Sequence, residues 1–230
     1  MGNRVIPSPY LVPGFYDTAL AKGRHREIVG GRWDETGRIQ LAALCAHGLG
    51  PHHRLLDIGA GSLRLGCKAV PYLDPGHYWA TDASRALMLR GHARELADPD
   101  RLPVAQLIED AGFTFPGVPP IMDYAIAFGV FTHLPGDLLA TALTNLARSQ
   151  PGLRRFLVSV FLAPPDQADL AFRQADGVVT HPGRPPYHRT AEDIAQTALA
   201  TGWSLEQHIG MLPRGQVMFV ATPLARGKGG

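Results

Sequence analysis

A glycine-rich turn between a predicted strand and a predicted helix is the first segment whose residue types suggest chemistry. In "LLDIGAGSLRLG", Asp57, Gly59 and Gly61 follow an apolar run, and a helical pattern begins after them. Glycine lets a ligand approach the backbone closely, and a helix N-terminus favours anionic groups or polar oxygens. A strict dinucleotide-binding pattern requires a further glycine at position 64, where Arg64 is too large for the close contact between helix and strand. A dinucleotide, or no ligand at all, is therefore the less favoured interpretation.

Two further aspartates lie where predicted strands end. Asp82 closes "YWATD", a position from which a carboxylate can accept hydrogen bonds from both hydroxyls of a ribose. Asp110 follows the next strand in "IEDAGF", where a carboxylate can accept from an adenine amino group while the next backbone N–H binds a ring nitrogen. Together with the glycine turn, these strand ends predict one nucleoside ligand.

The elements that must position these residues are short apolar runs alternating with helical patterns. The predicted strands are "RLLDI" (54–58), "YWATD" (78–82), "VAQLI" (104–108), "DYAIAFG" (123–129) and "RRFLVSVF" (154–161). The predicted helices are "ETGRIQLAALCAHGL" before the first strand and "SLRLGCKAVPYL", "SRALMLRGHARELA" and "GDLLATALTNLARS" after the first, second and fourth. This alternation predicts an α/β fold with a Rossmann-like, doubly wound, mostly parallel sheet. Ligands of such sheets bind beyond the carboxyl ends of the strands.

The last part of the chain predicts a helix and an antiparallel hairpin. "TAEDIAQTALATG" has Thr190 and Asp193 at the spacing of a capping box and ends at Gly202. "SLEQHIGML" and "GQVMFVATP" follow as strands. The few residues between them are too short for a parallel crossover, so we expect an antiparallel pair at the sheet edge.

Three segments lie outside the alternating pattern. Residues 1–35 are rich in Gly, Pro and aromatic residues and are predicted to form an N-terminal lid over the domain at 36–225. Residues 163–189 form a long insertion after the fifth strand, and long loops at the carboxyl ends of parallel strands commonly line a site. The tail, 226–230, is predicted to be disordered.

Composition excludes several other classes of protein. A hydrophobic content of 45% and a mean hydropathy of -0.03 fit a globular chain without a membrane span, and prolines interrupt the N-terminus where a signal peptide needs an apolar run. We therefore expect a cytoplasmic protein. Cys45 and Cys67 are predicted to be buried thiols, with neither a disulfide nor a metal site. The net charge of +2 is spread along the chain, which disfavours nucleic acid as a partner.

The chain resembles the class I S-adenosylmethionine-dependent methyltransferases over roughly residues 25 to 222. That family has an acidic residue and a glycine-rich turn after the first strand, an acid ending the second, Asp-Ala after the third and a closing antiparallel strand. "VGGRWDETGRIQ", "DIGAGSLRLG", "PYLDPGHYWATD", "GVFTHLP" and "PRGQVMFV" resemble a branch with small-molecule or unassigned substrates. The sequence departs from the family at Leu63, where many members have a third glycine.

The resemblance implies S-adenosylmethionine as cofactor, S-adenosylhomocysteine as product, and no metal. It assigns cofactor contacts residue by residue. Asp57, Gly59 and Gly61 would hold the methionine end, Asp82 with Ala83 the ribose, Asp110 with Ala111 the adenine, and the backbone of Gly129 would approach the amino acid part. Arg64 would bind the cofactor's carboxylate, with a surface salt bridge as the alternative.

On the acceptor side, His133 in "FGVFTHLP" follows the fourth strand and is the candidate general base, because an ordinary histidine pKa near 6.5 allows proton transfer at neutral pH. A packed, hydrogen-bonding histidine is the alternative. The other acceptor-side candidates are Tyr16, Arg26 and Trp33 from the N-terminal segment and His181, Tyr187 and His188 from the insertion. An N-terminal aromatic ring would cover the sulfonium by a cation–π contact, or Trp33 would only pack under the lid.

Three functions remain open from the sequence. The first is methyl transfer to an O or N atom of a small molecule. The second keeps the cofactor but transfers or cyclises its aminobutanoate arm, and the third is a binding module without turnover. "FGVF" stands where many relatives that methylate bases or amide groups carry an Asn-Pro-Pro-Tyr type motif, so methylation of adenine or glutamine is disfavoured.

Overall fold

The computed structural model describes residues 8–12, 14–210 and 212–224. The predicted disordered tail and the beginning of the predicted lid lie outside the described residues. In the part of the chain that is described, no helix is long and apolar enough to cross a membrane.

An eight-stranded sheet forms the centre of the molecule, in the order β3-β2-β1-β4-β5-β10-β9 with β8 paired to β5. Its strands are β1 (Leu55–Ile58), β2 (Tyr78–Asp82), β3 (Leu107–Glu109), β4 (Tyr124–Ala127), β5 (Arg155–Leu162), β8 (His188–Arg189), β9 (Trp203–Gln207) and β10 (Val217–Pro223). β6 (Phe172–Arg173) and β7 (Val179–Thr180) pair with each other in a separate antiparallel sheet. β1, β2, β3, β4 and β5 pair in parallel, so their carboxyl ends meet at one edge.

The C-terminal hairpin is confirmed. β10 is antiparallel to β9 and also to β5, so it lies inside the sheet while β9 forms the edge. The turn between β9 and β10 is thereby brought to the carboxyl end of β5, next to the predicted ligand site.

Helices cover both faces of the sheet. They are α1 (Asp17–Ala21), α2 (His25–Ile28), α3 (Trp33–Ala46), α4 (Gly66–Tyr72), α5 (Arg85–Glu95), α6 (Gly136–Ser149) and α7 (Ala191–Ala200). Leu56 and Ile58 of β1 pack in one apolar cluster with residues of α6 and α7, while Leu55 packs in a second cluster with residues of α3, α4 and α5. The alternation along β1 shows that the sheet is doubly wound, as predicted.

Side-chain caps mark the first turns of α7 and α5. The capping box at α7 is confirmed, since the Thr190 hydroxyl accepts from the Asp193 N–H and the Asp193 carboxylate accepts from the Thr190 N–H. Ser84 caps α5 in the same manner by accepting from the Leu87 N–H. By contrast, α4 begins later than the pattern predicted, because Leu63 has a φ of 63° and no α-helix continues through a left-handed residue.

The third strand is the least accurate prediction. Val104–Gln106 form a 3₁₀ turn instead of the start of the strand, and only Leu107–Glu109 pair with β2. Pro103 lacks an N–H, and its carbonyl accepts from the Gln106 N–H at 2.9 Å, which closes the turn.

Candidate functional site

One cavity of about 380 Å³ lies beyond the carboxyl ends of β1, β2 and β4, covered on one side by the N-terminal segment. Ligands of open α/β sheets bind at this location. Eleven of the predicted site residues line it: Tyr16, Asp57, Gly59, Gly61, Arg64, Asp82, Ala83, Asp110, Ala111, Gly129 and His133. Strand ends that are far apart in sequence therefore converge on one concave surface.

The glycine turn is shaped so that no side chain would fit. Gly59 and Gly61 have φ values of 69° and 57°, and a Cβ built on them would lie 2.4 Å from Val130 and 2.6 Å from Val29. The N–H groups of Gly59 and Ala60 donate to the Thr81 carbonyl, which fixes the turn to β2. The turn therefore presents bare backbone to the cavity.

The backbone of Leu63 explains how the glycine turn forms although the sequence lacks the third glycine of the family pattern. It occupies the position of the third glycine and still has a positive φ of 63°, with a completely buried side chain. Packing in the core compensates for the left-handed backbone, whose cost is about 1–2 kcal/mol. The turn thus keeps its path without that glycine.

Asp57, the next-to-last residue of β1, is a deeply buried acid, 4% exposed. It accepts a short hydrogen bond from the Tyr78 hydroxyl. Burial raises the pKa of Asp57 to about 7, although the Tyr78 hydrogen bond and the Arg64 charge oppose the increase. A cationic ligand group placed beside Asp57 would favour its charged form.

Asp82 joins the glycine turn to the loop that follows β2, because each of its carboxylate oxygens binds one of them. Its Oδ2 accepts from the Gly61 N–H at 2.9 Å and its Oδ1 from the Ser84 N–H at 2.9 Å. Burial raises the pKa of Asp82 to about 6 in spite of these bonds. Each oxygen retains a lone pair, so the carboxylate can still accept from two hydroxyl groups while it holds the turn.

Asp110 also organises its own loop. Its Oδ1 accepts from the N–H groups of Gly112 and Thr114, and its Oδ2 from the Phe115 N–H at 2.8 Å. Acceptance from an adenine amino group would therefore use the remaining lone pair on Oδ2. Phe113, with φ 56°, adds an aromatic wall to the cavity that the sequence pattern did not identify.

Arg64 is partly buried, and its guanidinium is only partly satisfied. Nη1 donates to the carbonyls of Val29 at 2.8 Å and Gly31 at 3.3 Å, while Nε is buried without a described hydrogen-bond partner. Burial lowers the pKa of Arg64 to about 10, which leaves it charged at neutral pH. The surface salt bridge considered from the sequence is not formed by Arg64 among the described residues.

His133 lines the cavity at the carboxyl end of β4 and stacks on Tyr10, with ring centroids 4.8 Å apart and an interplanar angle of 34°. Burial and then the Arg214 charge lower the pKa of His133 to about 4. The ordinary value near 6.5 used for the sequence prediction therefore does not hold in this structure. His133 is neutral at physiological pH, which is the protonation state that a base needs, but it is a weak base.

The turn between β9 and β10 adds three cavity residues that the sequence did not assign, Pro213, Arg214 and Gln216. The Gly129 N–H donates to the Ser159 hydroxyl at 2.8 Å, and that hydroxyl donates to Gln216 Oε1 at 2.7 Å. The motif "PRGQVMFV" was visible in the sequence, but only the position of β10 beside β5 shows which of its side chains reach the cavity.

The N-terminal segment is attached to the cavity rim by hydrogen bonds to its carbonyls. Ser62 donates to His25, Arg64 to Val29 and Gly31, and Arg214 to Gly30 at 2.9 Å. Tyr10 and Tyr16 contribute rings to the cavity. The pKa of Tyr16 is raised, chiefly by burial and next by the nearby Asp82 charge, so its hydroxyl stays protonated.

Arg26 and Trp33, both predicted for the acceptor side, lie outside the cavity lining. The Arg26 guanidinium binds both carboxylate oxygens of Glu95, at 2.8 and 2.6 Å, and lies 5.2 Å from the centre of the Trp33 ring. Trp33 is 9% exposed and begins α3. The geometry agrees with the packing alternative for Trp33, while Tyr10 and Tyr16 supply the rings that line the cavity.

The predicted residues of the insertion also lie outside the lining, which instead includes Val178 and Pro186 from this segment. His188 is buried between the Thr180 hydroxyl at 2.8 Å and the Ala168 carbonyl at 3.0 Å. The backbones of His181 and Tyr187 pair in an isolated parallel β-bridge, and the Tyr187 N–H donates to the Thr132 carbonyl. These contacts hold the insertion against β5 and the loop that follows β4.

In the described ranges, no group of three or more His, Cys, Asp or Glu side chains is arranged to hold a metal ion. Cys45 and Cys67 are both free thiols.

Comparison with solved structures identifies the fold. The chain is similar to magnesium protoporphyrin IX methyltransferase (ChlM) from Synechocystis PCC 6803 with bound SAM, with a TM-score of 0.64, 16% identity, and coverage of 96% of this chain and 100% of that one. It is also similar to DhpI in complex with SAH (TM-score 0.59, 16% identity, 94% and 100% coverage). A third similar structure is the glycopeptide N-methyltransferase MtfA (TM-score 0.58, 13% identity, 81% and 90% coverage).

No protein-family model and no curated protein sequence matches the chain. The similarity to ChlM extends over 96% of this chain. The chain has the Rossmann-like fold of the class I S-adenosylmethionine-dependent methyltransferases.

Proposed function

We propose that this protein transfers a methyl group from S-adenosylmethionine to an O or N atom of a small-molecule acceptor. The observation that carries the proposal is the convergence of Asp57, Asp82 and Asp110 with the bare glycine turn on one cavity. Similar structures that contain SAM or SAH support the choice of cofactor.

The cavity residues fit this cofactor chemically. Asp82 has a free lone pair on each oxygen for the ribose hydroxyls, and Ala83, Ala111 and Phe113 offer apolar surface for a purine. At the other end, Asp57 can pair with an amino group and the Arg64 guanidinium, which lines the cavity, can donate to a carboxylate. The same two side chains interact electrostatically with each other, as expected for residues facing one zwitterionic group.

The bound cofactor would supply a methyl group that is already activated on a sulfonium. The protein then has to align the acceptor with that carbon in a site without water, an effect worth on the order of 7–11 kcal/mol. The N-terminal segment covers the cavity and carries Tyr10 and Tyr16, so it is suited to exclude water. We assign His133 the role of general base for a hydroxyl acceptor, and an amine acceptor that arrives deprotonated would not need it.

The proposed partner is a small molecule and not a nucleic acid or a membrane, in line with the small net charge of +2. A cytoplasmic location stays a prediction from the sequence.

The experiment has two stages. Calorimetric titration with S-adenosylhomocysteine tests the cofactor site, and absence of binding would reject the proposal. Incubation of a metabolite extract with the protein and methyl-deuterated S-adenosylmethionine, followed by mass spectrometry, then identifies the product. A mass gain of one labelled methyl supports methyl transfer, whereas labelled methylthioadenosine as by-product would indicate transfer or cyclisation of the aminobutanoate arm.

A further inference from the structure

The turn between β9 and β10 presents two hydrogen-bond donors to the cavity. It contains a 3₁₀ turn, Pro213–Gly215, and then Gln216, the residue just before β10. Arg214 and Gln216 both line the cavity. Neither is needed for the cofactor contacts proposed above.

The orientation of the Gln216 amide follows from its neighbour. Ser159 is completely buried and already accepts from the Gly129 N–H, so its own hydroxyl hydrogen needs an acceptor. The described acceptor is Gln216 Oε1 at 2.7 Å. Since the oxygen is held by Ser159, the amide nitrogen has both hydrogens available for a ligand.

Arg214 has a free guanidinium and an unusual backbone. One of its five N–H donors binds the Gly30 carbonyl, and no carboxylate of a described residue forms an ion pair with it. Its φ is 65°, a left-handed conformation that costs a non-glycine residue about 1–2 kcal/mol. Such a conformation tends to persist where the side chain has a function at a site.

The acidic residues of the cavity are already engaged elsewhere. Asp57 binds Tyr78, Asp82 and Asp110 bind backbone N–H groups, and Glu27 pairs with Arg24. Burial raises the pKa of Tyr10 and lowers that of His133, and at both groups the Arg214 charge acts to lower the pKa. After burial and the opposing Asp57 charge, the Arg214 charge also lowers the pKa of Arg64. Arg214 therefore adds positive charge to the acceptor side of the cavity, beside the proposed base.

We propose that the acceptor carries an oxyanion, a carboxylate or a phosphate, which binds between the Arg214 guanidinium and the Gln216 amide. This inference rests on the proposed function, because it names the class of acceptor for the same site. The planar guanidinium forms paired hydrogen bonds with an oxyanion, and the amide adds a further donor. Arg214 already joins the β9–β10 turn to Gly30 by a hydrogen bond, so an anion bound to Arg214 would lie between these two segments.

The first test uses the protein saturated with S-adenosylhomocysteine and measures binding of benzoate, phenyl phosphate and benzamide by calorimetry. At least one anion should bind about 10-fold or more tightly than neutral benzamide, the amide isostere of benzoate. Preference for benzoate or for phenyl phosphate decides between a carboxylate and a phosphate. Equal affinity for all three probes, or no measurable binding of either anion, would overturn the proposal.

Two variants assign the effect to these residues. Arg214→Gly removes the charge and suits the positive φ, while Gln216→Glu keeps an oxygen for Ser159 but replaces the free N–H₂ by a negatively charged oxygen. Each should weaken anion binding about 10- to 100-fold. Affinity for S-adenosylhomocysteine should stay within about 2-fold. Arg148→Ala removes one exposed charge of α6 outside the cavity and is the matched control.

An equal loss in the Arg148 variant would show a general charge effect and reject the subsite. A loss of S-adenosylhomocysteine affinity in Arg214→Gly comparable to the loss of anion affinity would place Arg214 on the cofactor instead. If the wild type does not bind S-adenosylhomocysteine at all, the proposed function fails. Titration of the free protein with the same three probes then still decides whether Arg214 and Gln216 form an anion site.

Discussion

The Gly61 N–H donates to Asp82 Oδ2 at 2.9 Å, so the carboxylate that ends β2 holds the glycine turn that follows β1. The two residues are therefore one unit, in which the group proposed for the ribose also shapes the backbone proposed for the methionine end. A substitution at Asp82 removes both functions, and its effect on cofactor binding should exceed that of losing two hydrogen bonds.

Asp82→Ala should weaken binding of S-adenosylhomocysteine by at least 1.5–3 kcal/mol, about 10- to 150-fold, because charge-assisted hydrogen bonds are lost and the turn is released. Calorimetric titration measures the affinity and circular dichroism checks the fold. Glu206→Ala, which removes an exposed carboxylate from β9 outside the cavity lining, is the matched control and should bind normally. Wild-type affinity in the Asp82 variant would exclude the ribose assignment.

Binding of S-adenosylhomocysteine should strengthen as the pH rises from about 5 to 8. Burial raises the pKa of Asp57 to about 7 and that of Asp82 to about 6, and the ligand's amino and hydroxyl groups favour the charged carboxylates. Binding near pH 6.5 should therefore release protons, which titrations in buffers of different ionisation enthalpy detect. Tyr78→Phe removes a hydrogen bond that lowers the pKa of Asp57, and should move the midpoint to higher pH.

The same raised pKa values predict that the stability of the ligand-free protein changes with pH in the opposite direction to its affinity for the ligand. The folded state binds more protons than the unfolded state between the ordinary aspartate pKa of 3.8 and the raised values, so stability should fall as the pH rises from about 4 to 7. Above about pH 8 these two groups contribute no further change. Thermal melts of wild type and Asp57→Asn across this range test the prediction, and an unchanged slope in the variant would contradict it.

The sheet and the meeting of the three aspartates with the glycine turn at one cavity could be predicted because their signals are local. Buried apolar runs identified β1, β2, β4 and β5, and the aspartates at strand ends needed only the parallel arrangement to bring them together. The capping box identified α7 for the same reason. β3 was placed too early because the apolar run begins in a turn that Pro103 and Gln106 close.

The acceptor side could not be predicted from local patterns. Whether a histidine such as His188 faces a ligand or a carbonyl depends on the pairing of β8 with β5, which is a tertiary contact. Tyr10, Arg214 and Gln216 reach the cavity only because the N-terminal segment and the β9–β10 turn meet above it. The low pKa of His133 likewise arises from burial and from the charge of Arg214, which lies 81 residues further along the chain.

Removing the N-terminal cover should reduce turnover more than stability. A chain that starts at Arg24 loses α1, Tyr10 and Tyr16 but keeps the segment bound to Ser62 and Arg64. Water would enter the site and the acceptor would be less well aligned, so we expect turnover to fall about 10²-fold while the melting temperature falls by only a few degrees. Steady-state kinetics and thermal melts measure the two effects.

Point variants separate the cavity rings from the rest of the cover. Tyr16→Ala should reduce turnover, whereas Tyr16→Phe, which keeps the ring in the cavity and removes only the hydroxyl, should reduce it much less. Full activity in the chain that starts at Arg24 would exclude a covering role for the segment.

The last prediction concerns His133, which we place next to the acceptor. For a hydroxyl acceptor, His133→Ala should lower kcat by roughly 10² to 10⁴ and leave affinity for S-adenosylhomocysteine nearly unchanged. Because its pKa in the ligand-free protein is about 4, the histidine is already neutral across the neutral range, so kcat/KM should show no ionisation of His133 between about pH 6 and 8. The test measures the pH dependence of the rate for wild type, His133→Ala and His133→Gln over this range. Thermal melts of the same three proteins show whether a loss of rate comes with a loss of stability. A variant with normal turnover, or one in which rate, cofactor affinity and melting temperature fall together, would assign His133 to packing against Tyr10 and leave alignment as the source of catalysis.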